Sequence, residues 1–244
     1  VTPDAMVYYT WSQGFRPGGF NQNGDSPHAV GPDGLPQYLI PRAYSSDKLT
    51  NNELGWKTTF WNHHLQWNGA VYREDWNDVQ IAFFNPGLVG NLFYNTNGQN
   101  FVVKGIETSL ILQPFAGLVL QAAGSWNQSR QTNSPALVNN NPDSANFGQP
   151  ITQLCNTDPC TPVDNPFGPV GAPSANSPPM QMSFRARYDF AVGDSYAAYV
   201  QLGVHHQGHS YTQAGANPNY AIGGAISSSR GRFENPSYTT MEAS

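Results

Sequence analysis

From residue 180 to 192 the chain alternates apolar and polar side chains without a break. Met180, Met182, Phe184, Ala186, Tyr188, Phe190 and Val192 fall on one side, and Gln181, Ser183, Arg185, Arg187 and Asp189 on the other. A period of two belongs to a strand, and here one face is apolar and the other wet. The pattern recurs. In 52–60, Leu54, Trp56 and Phe60 oppose Glu53, Lys57 and Thr59. In 102–112, Val102, Ile106, Leu110 and Leu112 oppose Gly105, Glu107 and Ser109. In 118–129, Leu118, Leu120, Ala122 and Trp126 oppose Gln121, Ser125, Asn127 and Ser129. In 196–209, Ala198, Val200, Leu202 and Val204 oppose Tyr199, Gln201, His205, Gln207 and His209. Further strands are expected at 4–15, 65–84 and 238–244.

The connections alternate too. Short ones fall at 62–64, 114–117 and 193–195, and long ones at 17–46, 85–97, 133–178 and 212–237. Up-and-down strands would place every tight turn at one end and every long loop at the other. Ten of the 20 prolines lie between 135 and 179, so that stretch is read as loop and not as a strand pair. Loops of this length are unusual inside a compact domain. They are ordinary on one side of a transmembrane β-barrel. Several strands are long enough to cross a bilayer at a tilt, whereas strands of soluble sandwiches run to about 5–6 residues. Trp61 and Trp67 flank a short turn, as girdle aromatics do. The fold class is therefore all-β: an antiparallel up-and-down meander of about eight strands from a transmembrane β-barrel.

Composition removes other classes. With 11 basic and 16 acidic residues the net charge is −5, and there is no Lys/Arg run, which speaks against nucleic acid as a partner. No apolar stretch approaches 18 residues, which excludes a helical membrane protein. No leader is visible before Val1, and the chain is expected to be mature or cut from a longer product. Cys155 and Cys160 are the only cysteines. Matched His or Cys for zinc are absent nearby, and the spacing is not that of a redox pair. A small structural disulfide, Cys155–Cys160, is expected.

Four strings carry a resemblance: YYTWSQGFRPGGFN from Tyr8 to Asn21, LTNNELGWKTTFW from Leu49 to Trp61, LQWNGAVYREDWNDVQI from Leu65 to Ile81, and FVVKGIETSLILQPFAGLVLQAAGSW from Phe101 to Trp126. In this order and spacing they resemble the C-terminal half of the barrel of a TonB-dependent outer-membrane receptor. The resemblance covers most of 4–132 and continues as strand rhythm to 244. It implies a 22-stranded barrel plugged by an N-terminal domain. It also implies uptake of a scarce nutrient, such as a ferric siderophore, across the outer membrane of a Gram-negative bacterium. Implied partners are outer-membrane lipid, a small nutrient ligand such as an iron chelate, and TonB through an N-terminal segment. Residues 1–244 are then expected to be a partial barrel, without plug, TonB box or final strands.

Several residues could touch a ligand. Arg185 and Arg187, with Lys57, could make a wall that attracts anions. The competing reading has Glu53, Glu107 and Asp189 neutralising them. Arg16 lies where strand meets loop and could contact ligand or plug, or snorkel at the membrane surface. Phe83, Phe84, Phe93 and Tyr94 flank an outer loop, and stacking by Phe84 and Tyr94 on a ring is as plausible as loop packing. His205 and His209 lie about 13 Å apart on one strand face, too far to grip one ion; they are read as polar residues near the loop-side end. Glu74 and Asp78 are likewise about 13 Å apart, outside the range of glycosidase pairs. No catalytic residue, metal site or cofactor is expected. The alternative from another class is a secreted β-sheet carbohydrate-binding module. A third reading is a complete eight-stranded barrel.

Overall fold

A computed structural model describes residues 2–84, 93–155, 158–162, 167–212, 221–222, 225–226 and 234–244. Eight long strands form one sheet. They are β1 (Ala5–Arg16), β2 (Asp47–Phe60), β3 (Leu65–Asn77), β4 (Phe101–Leu112), β5 (Leu118–Gln131), β6 (Met180–Val192), β7 (Tyr196–Gln207) and β8 (Tyr238–Ala243). Each pairs antiparallel with the next, in chain order. No helix occurs among the described residues. β1 and β8 are not paired with each other, so the eight strands do not close into a small barrel.

Register carries the alternation across the sheet. Tyr9, Leu54, Val71, Ile106, Trp126 and Met180 stand opposite one another in turn. They make one outward row of apolar side chains. The neighbouring inward row runs through Thr10, Glu53, Tyr72, Gly105 and Asn127. The large apolar side chains of the outward face are exposed: Leu54 is 48% accessible and Val71 41%. A sandwich would cover them with a second sheet. No second sheet covers this face among the described residues, in contrast to the soluble-module reading.

The tight turns run through left-handed backbone. Trp61, Asn62 and His63 all have positive φ, and Gly117 and Gly193 serve the next two turns. Trp61, Phe115 and Tyr196 project at this end, with 70%, 56% and 78% of their surface exposed. Aromatic side chains gather in this way in the girdles of outer-membrane barrels.

Three expectations need adjustment. The strand expected at 65–84 ends at Asn77. Asp78 takes a left-handed φ of 52° and donates its backbone N–H to Asn100 Oδ1 at 2.7 Å. Gln80–Phe84 then leaves the main sheet and pairs with Phe93–Asn97. The loop at 17–46 is not featureless: Gly19–Phe20 pairs with Ala43–Tyr44, and Pro27–Val30 with Pro36–Leu39. Among the described residues the Pro-rich loop pairs Gln153–Leu154 with Thr161–Pro162 and bridges Val138 to Pro150. Part of the 85–97 loop and most of 212–237 lie outside the described residues.

Two luminal glycines carry the rings of the neighbouring strand. Tyr8 lies across Gly55, and Tyr72 across Gly105, each pair directly opposite in register. A Cβ on Gly105 would meet the Tyr72 ring at 2.5 Å and the Trp126 carbonyl at 2.9 Å. The glycines in NELGWK and VKGIE therefore make room for flat-lying tyrosines. Replacing Gly105 with Val should lower the stability of the intact barrel by about 1–3 kcal/mol. Gly14→Ala, with no atom within 4 Å of the new Cβ, should leave it unchanged. Urea titration followed by tryptophan fluorescence reads both, and an unperturbed Gly105→Val protein would refute the close fit.

Candidate functional site

The long connections meet in one buried cluster. Ala29, Tyr38 and Ile40 come from the first loop, Tyr94 from the second, and Leu137, Ile151, Leu154 and Phe167 from the third. Each is at most 8% exposed. The Tyr38 and Tyr94 rings lie 6.0 Å apart, tilted at 39°. Tyr94, for which stacking on a ligand and loop packing were equally open, is 3% exposed and part of this cluster. Alternation in Phe93–Asn97 sends Tyr94 into the loop core and Phe93 out to solvent. The Phe84 backbone pairs with Phe93, but its side chain lies outside the described residues.

Asparagine explains how polar loops hold this shape. Asn140 bonds the Leu39 backbone twice: Oδ1 accepts from N at 2.6 Å, and Nδ2 donates to O at 2.8 Å. Asn21 does the same with Asn95, both at 2.8 Å. A side-chain amide offers the same donor and acceptor as a peptide group, so it replaces a strand partner. Cys155 and Cys160 form the expected disulfide, and Cys155 N donates to Val30 O at 2.8 Å. The third loop is thereby joined to the first.

Below this cap, at the rim of the wall, Asp47 is 1% exposed. Its carboxylate accepts from Arg16 Nε at 2.8 Å, Trp76 Nε1 at 3.1 Å and Gln80 N at 3.3 Å. Arg16 also stacks over Trp76, 5.3 Å from the ring centre. Gln80 Nε2 donates to the carbonyls of Pro17 and Ser45 at 2.9 and 2.8 Å. Arg16 therefore fastens three strands and the base of two loops. Its guanidinium is already engaged, whatever else touches its exposed edge.

The inner wall carries charges of both signs, with Lys57 inward beside Glu53 on β2 and Asp189 inward beside Arg187 on β6. Glu53, Glu74 and Glu107 face inward from β2, β3 and β4. Glu53 accepts from Tyr8 OH at 3.0 Å. Arg185, Arg187 and His205 face inward from β6 and β7. Arg187 is neutralised by Asp189 on its own strand at 2.7 Å and lies 4.0 Å over the Tyr199 ring. Arg185 instead donates from Nε to the neutral amide oxygen of Gln121 at 2.9 Å. Its charge has no carboxylate partner among the described residues. Arg185 and His205 line a concavity of about 600 Å³, with Glu242 on the far strand. His209 is not on this wall, because β7 ends at Gln207. It stands at the outer rim with its ring edge-on to Tyr211 at 5.7 Å. Among the described residues no group of His, Cys, Asp and Glu is arranged to hold a metal ion.

Phe20 was not singled out from the sequence. It is 87% exposed, and with Phe93, at 67%, it lines an outer concavity of about 280 Å³ floored by Asn21 and Asn95. The signal was present in GFRPGGFN, where a bulky apolar residue sits in a Gly/Pro loop.

A family model described as TonB dependent receptor-like, beta-barrel, matches residues 1–244. Among solved structures, the ferric yersiniabactin uptake receptor FyuA from Yersinia pestis superposes with a TM-score of 0.58 at 14% identity, covering 100% of this chain and 27% of that one. The siderophore receptor PirA from Acinetobacter baumannii gives 0.54 at 13%, covering 99% and 32%. BauA, the ferric preacinetobactin receptor from Acinetobacter baumannii, gives 0.52 at 15%, covering 99% and 27%. The chain thus spans roughly a quarter to a third of the length of these structures.

Two outcomes follow from the rim and cap. Asp47→Ala should destabilise the intact barrel by about 2–3 kcal/mol, below the figure for a fully buried pair because Arg16 is half-exposed. Urea titration reads this, and a loss under about 0.5 kcal/mol would show the clasp to be incidental. In the cap, burial holds the His28 imidazole below its ordinary 6.5. Hydrogen bonds from Ser144 and the Leu35 backbone hold the Asp33 carboxyl below 3.8. Both folded values are depressed, so both contributions are present at neutral pH. The His28 contribution should be lost as pH falls from about 6.5, and that of Asp33 only below 3.8. Limited proteolysis of the loops against pH should show the first step vanish in His28→Gln.

Proposed function

Because this chain belongs to the TonB dependent receptor-like β-barrel family, we propose that it is a wall segment of an outer-membrane receptor for a scarce nutrient of the iron-chelate class. Members of this family are receptors and transporters and not enzymes. In this reading the cap of loops holds the ligand at the cell surface of a Gram-negative bacterium. The inner wall then guides it inward, past a plug supplied by a segment outside this chain and driven through TonB. The siderophore receptors among the structural neighbours support an iron chelate as ligand.

The observation that carries the proposal is Arg185, a luminal cation held by a neutral amide and without a direct ion pair among the described residues. It faces a concavity of about 600 Å³ that also exposes Glu242 on the far strand. Many ferric chelates are anionic, and a cation within a polar wall attracts them. β1 and β8 each leave an unpaired edge in this sheet, and a lipid-facing wall needs further strands there.

The test is a fluorescence titration of the intact receptor with a panel of anionic ferric chelates. Arg185→Ala should weaken binding about fivefold, the effect of about 1 kcal/mol. Arg187→Ala should change it less, since Asp189 already neutralises that side chain. Failure of every chelate to bind, with a protein that inserts normally into membranes, would remove the ligand class. A protein that stays soluble without detergent would remove the receptor reading altogether.

A further inference from the structure

We infer that the outward face of β2–β5, at its loop-side margin, docks the phosphate-bearing headgroup of an anionic membrane lipid. The inference rests on the membrane-spanning reading given above. The outward row through Leu54, Val71, Ile106 and Trp126 is apolar. The next outward row toward the loops runs Asn52, Arg73, Lys104 and Gln128. One step further are Asp75 and Arg130, and beyond them Lys48. Four of the chain's 11 Lys and Arg are thus gathered on one outward margin of an acidic protein. Asp75 is the only carboxylate on the same margin of these strands.

That arrangement is unfavourable by itself. Arg73 and Lys104 are directly opposite in register, and like charges so placed repel. Asp75 engages Arg73 at 2.7 Å, and its charge also reaches Lys104, so one carboxylate is shared between two cations. Lys48 and Arg130 have no ion-pair partner among the described residues. An external anion relieves the repulsion. The level at which the cations sit, where apolar rows give way to polar ones, is the level of lipid headgroups. Arg and Lys together suit phosphate oxygens, the first by its planar fork and the second as a point charge.

The surface there is also concave. A hollow of about 360 Å³ beside Arg130 is walled by Trp126, Gln128, His209 and Tyr211. Trp126 is 50% exposed on the outward face, where an indole can lie against the first acyl carbons. Arg130, four positions along the same strand face toward the loops, and His209 line the same hollow, together with residues of the third loop. Apolar below and cationic above, the hollow matches an amphiphile with an anionic head. A free soluble anion would leave the indole unused.

The experiment uses the intact receptor in nanodiscs of neutral phosphatidylcholine, with or without one fifth phosphatidylglycerol. Native mass spectrometry after release counts retained lipid. The wild type should keep phosphatidylglycerol in preference to phosphatidylcholine. Lys104→Gln combined with Arg130→Gln should weaken that retention at least tenfold, since each cation near an anionic surface contributes about fivefold. The charge-keeping pair Lys104→Arg and Arg130→Lys should retain lipid, which separates charge from misfolding. Lys57→Gln, which removes an inward-facing cation, should have no effect. Equal retention of both lipids, equal retention by the double Gln variant, or an equal loss with Lys57→Gln would each overturn the inference and leave the receptor reading standing. A protein that does not enter nanodiscs would overturn both.

Discussion

A backbone amide cannot be left unpaired in hydrocarbon, and this constraint organises everything else in the chain. It requires an unbroken ladder, and the eight long strands supply one in chain order. Once the ladder is set, side chains have no further choice of face. Each residue points outward or inward by parity, and a shift of one position would turn the whole strand inside out. The aromatic rings on luminal glycines show how closely the ladder is fitted. Tyr8 and Tyr72 lie down along the wall because Gly55 and Gly105 let them. A larger residue at either glycine would push a ring into the lumen.

The loops solve a different problem. They stand in water, where backbone groups have other partners, and they could be mobile. They are instead tied together by a small apolar core, by side-chain amides that act as strand partners and by the disulfide. The clasp on Asp47 then ties this assembly to the wall. A pre-ordered cap would lose less conformational freedom than a mobile one on engaging a ligand of the kind proposed above.

How much of this was legible beforehand follows from the range of the forces involved. Met180–Val192 could be read to the residue, because strand parity is local. The tight turns, the disulfide and the two-faced wall were legible for the same reason. The break at Asp78 was not, since it depends on Asn100, a residue 22 positions away. Nor was the loop core, whose members come from three separate connections. Among site residues, the facing of Arg185 and Arg187 could be read from parity. Their differing neutralisation could not, because it turns on whether a carboxylate or an amide lies within reach. Arg16 was correctly placed at the rim, but its partner Asp47 lay beyond the strand expected at 52–60.

The shared loop core has a consequence for how such a receptor can change. Tyr38, Tyr94 and Leu137 touch one interior while belonging to three distant stretches of sequence. Exchanging one loop for a foreign one would leave the other two without their fit. New selectivity must then arrive as a cassette in which all three segments travel together, or by change confined to outward rings such as Phe20 and Phe93. An antibody raised against this surface would, by the same logic, recognise an epitope assembled from separate segments and lose it when any one is cut.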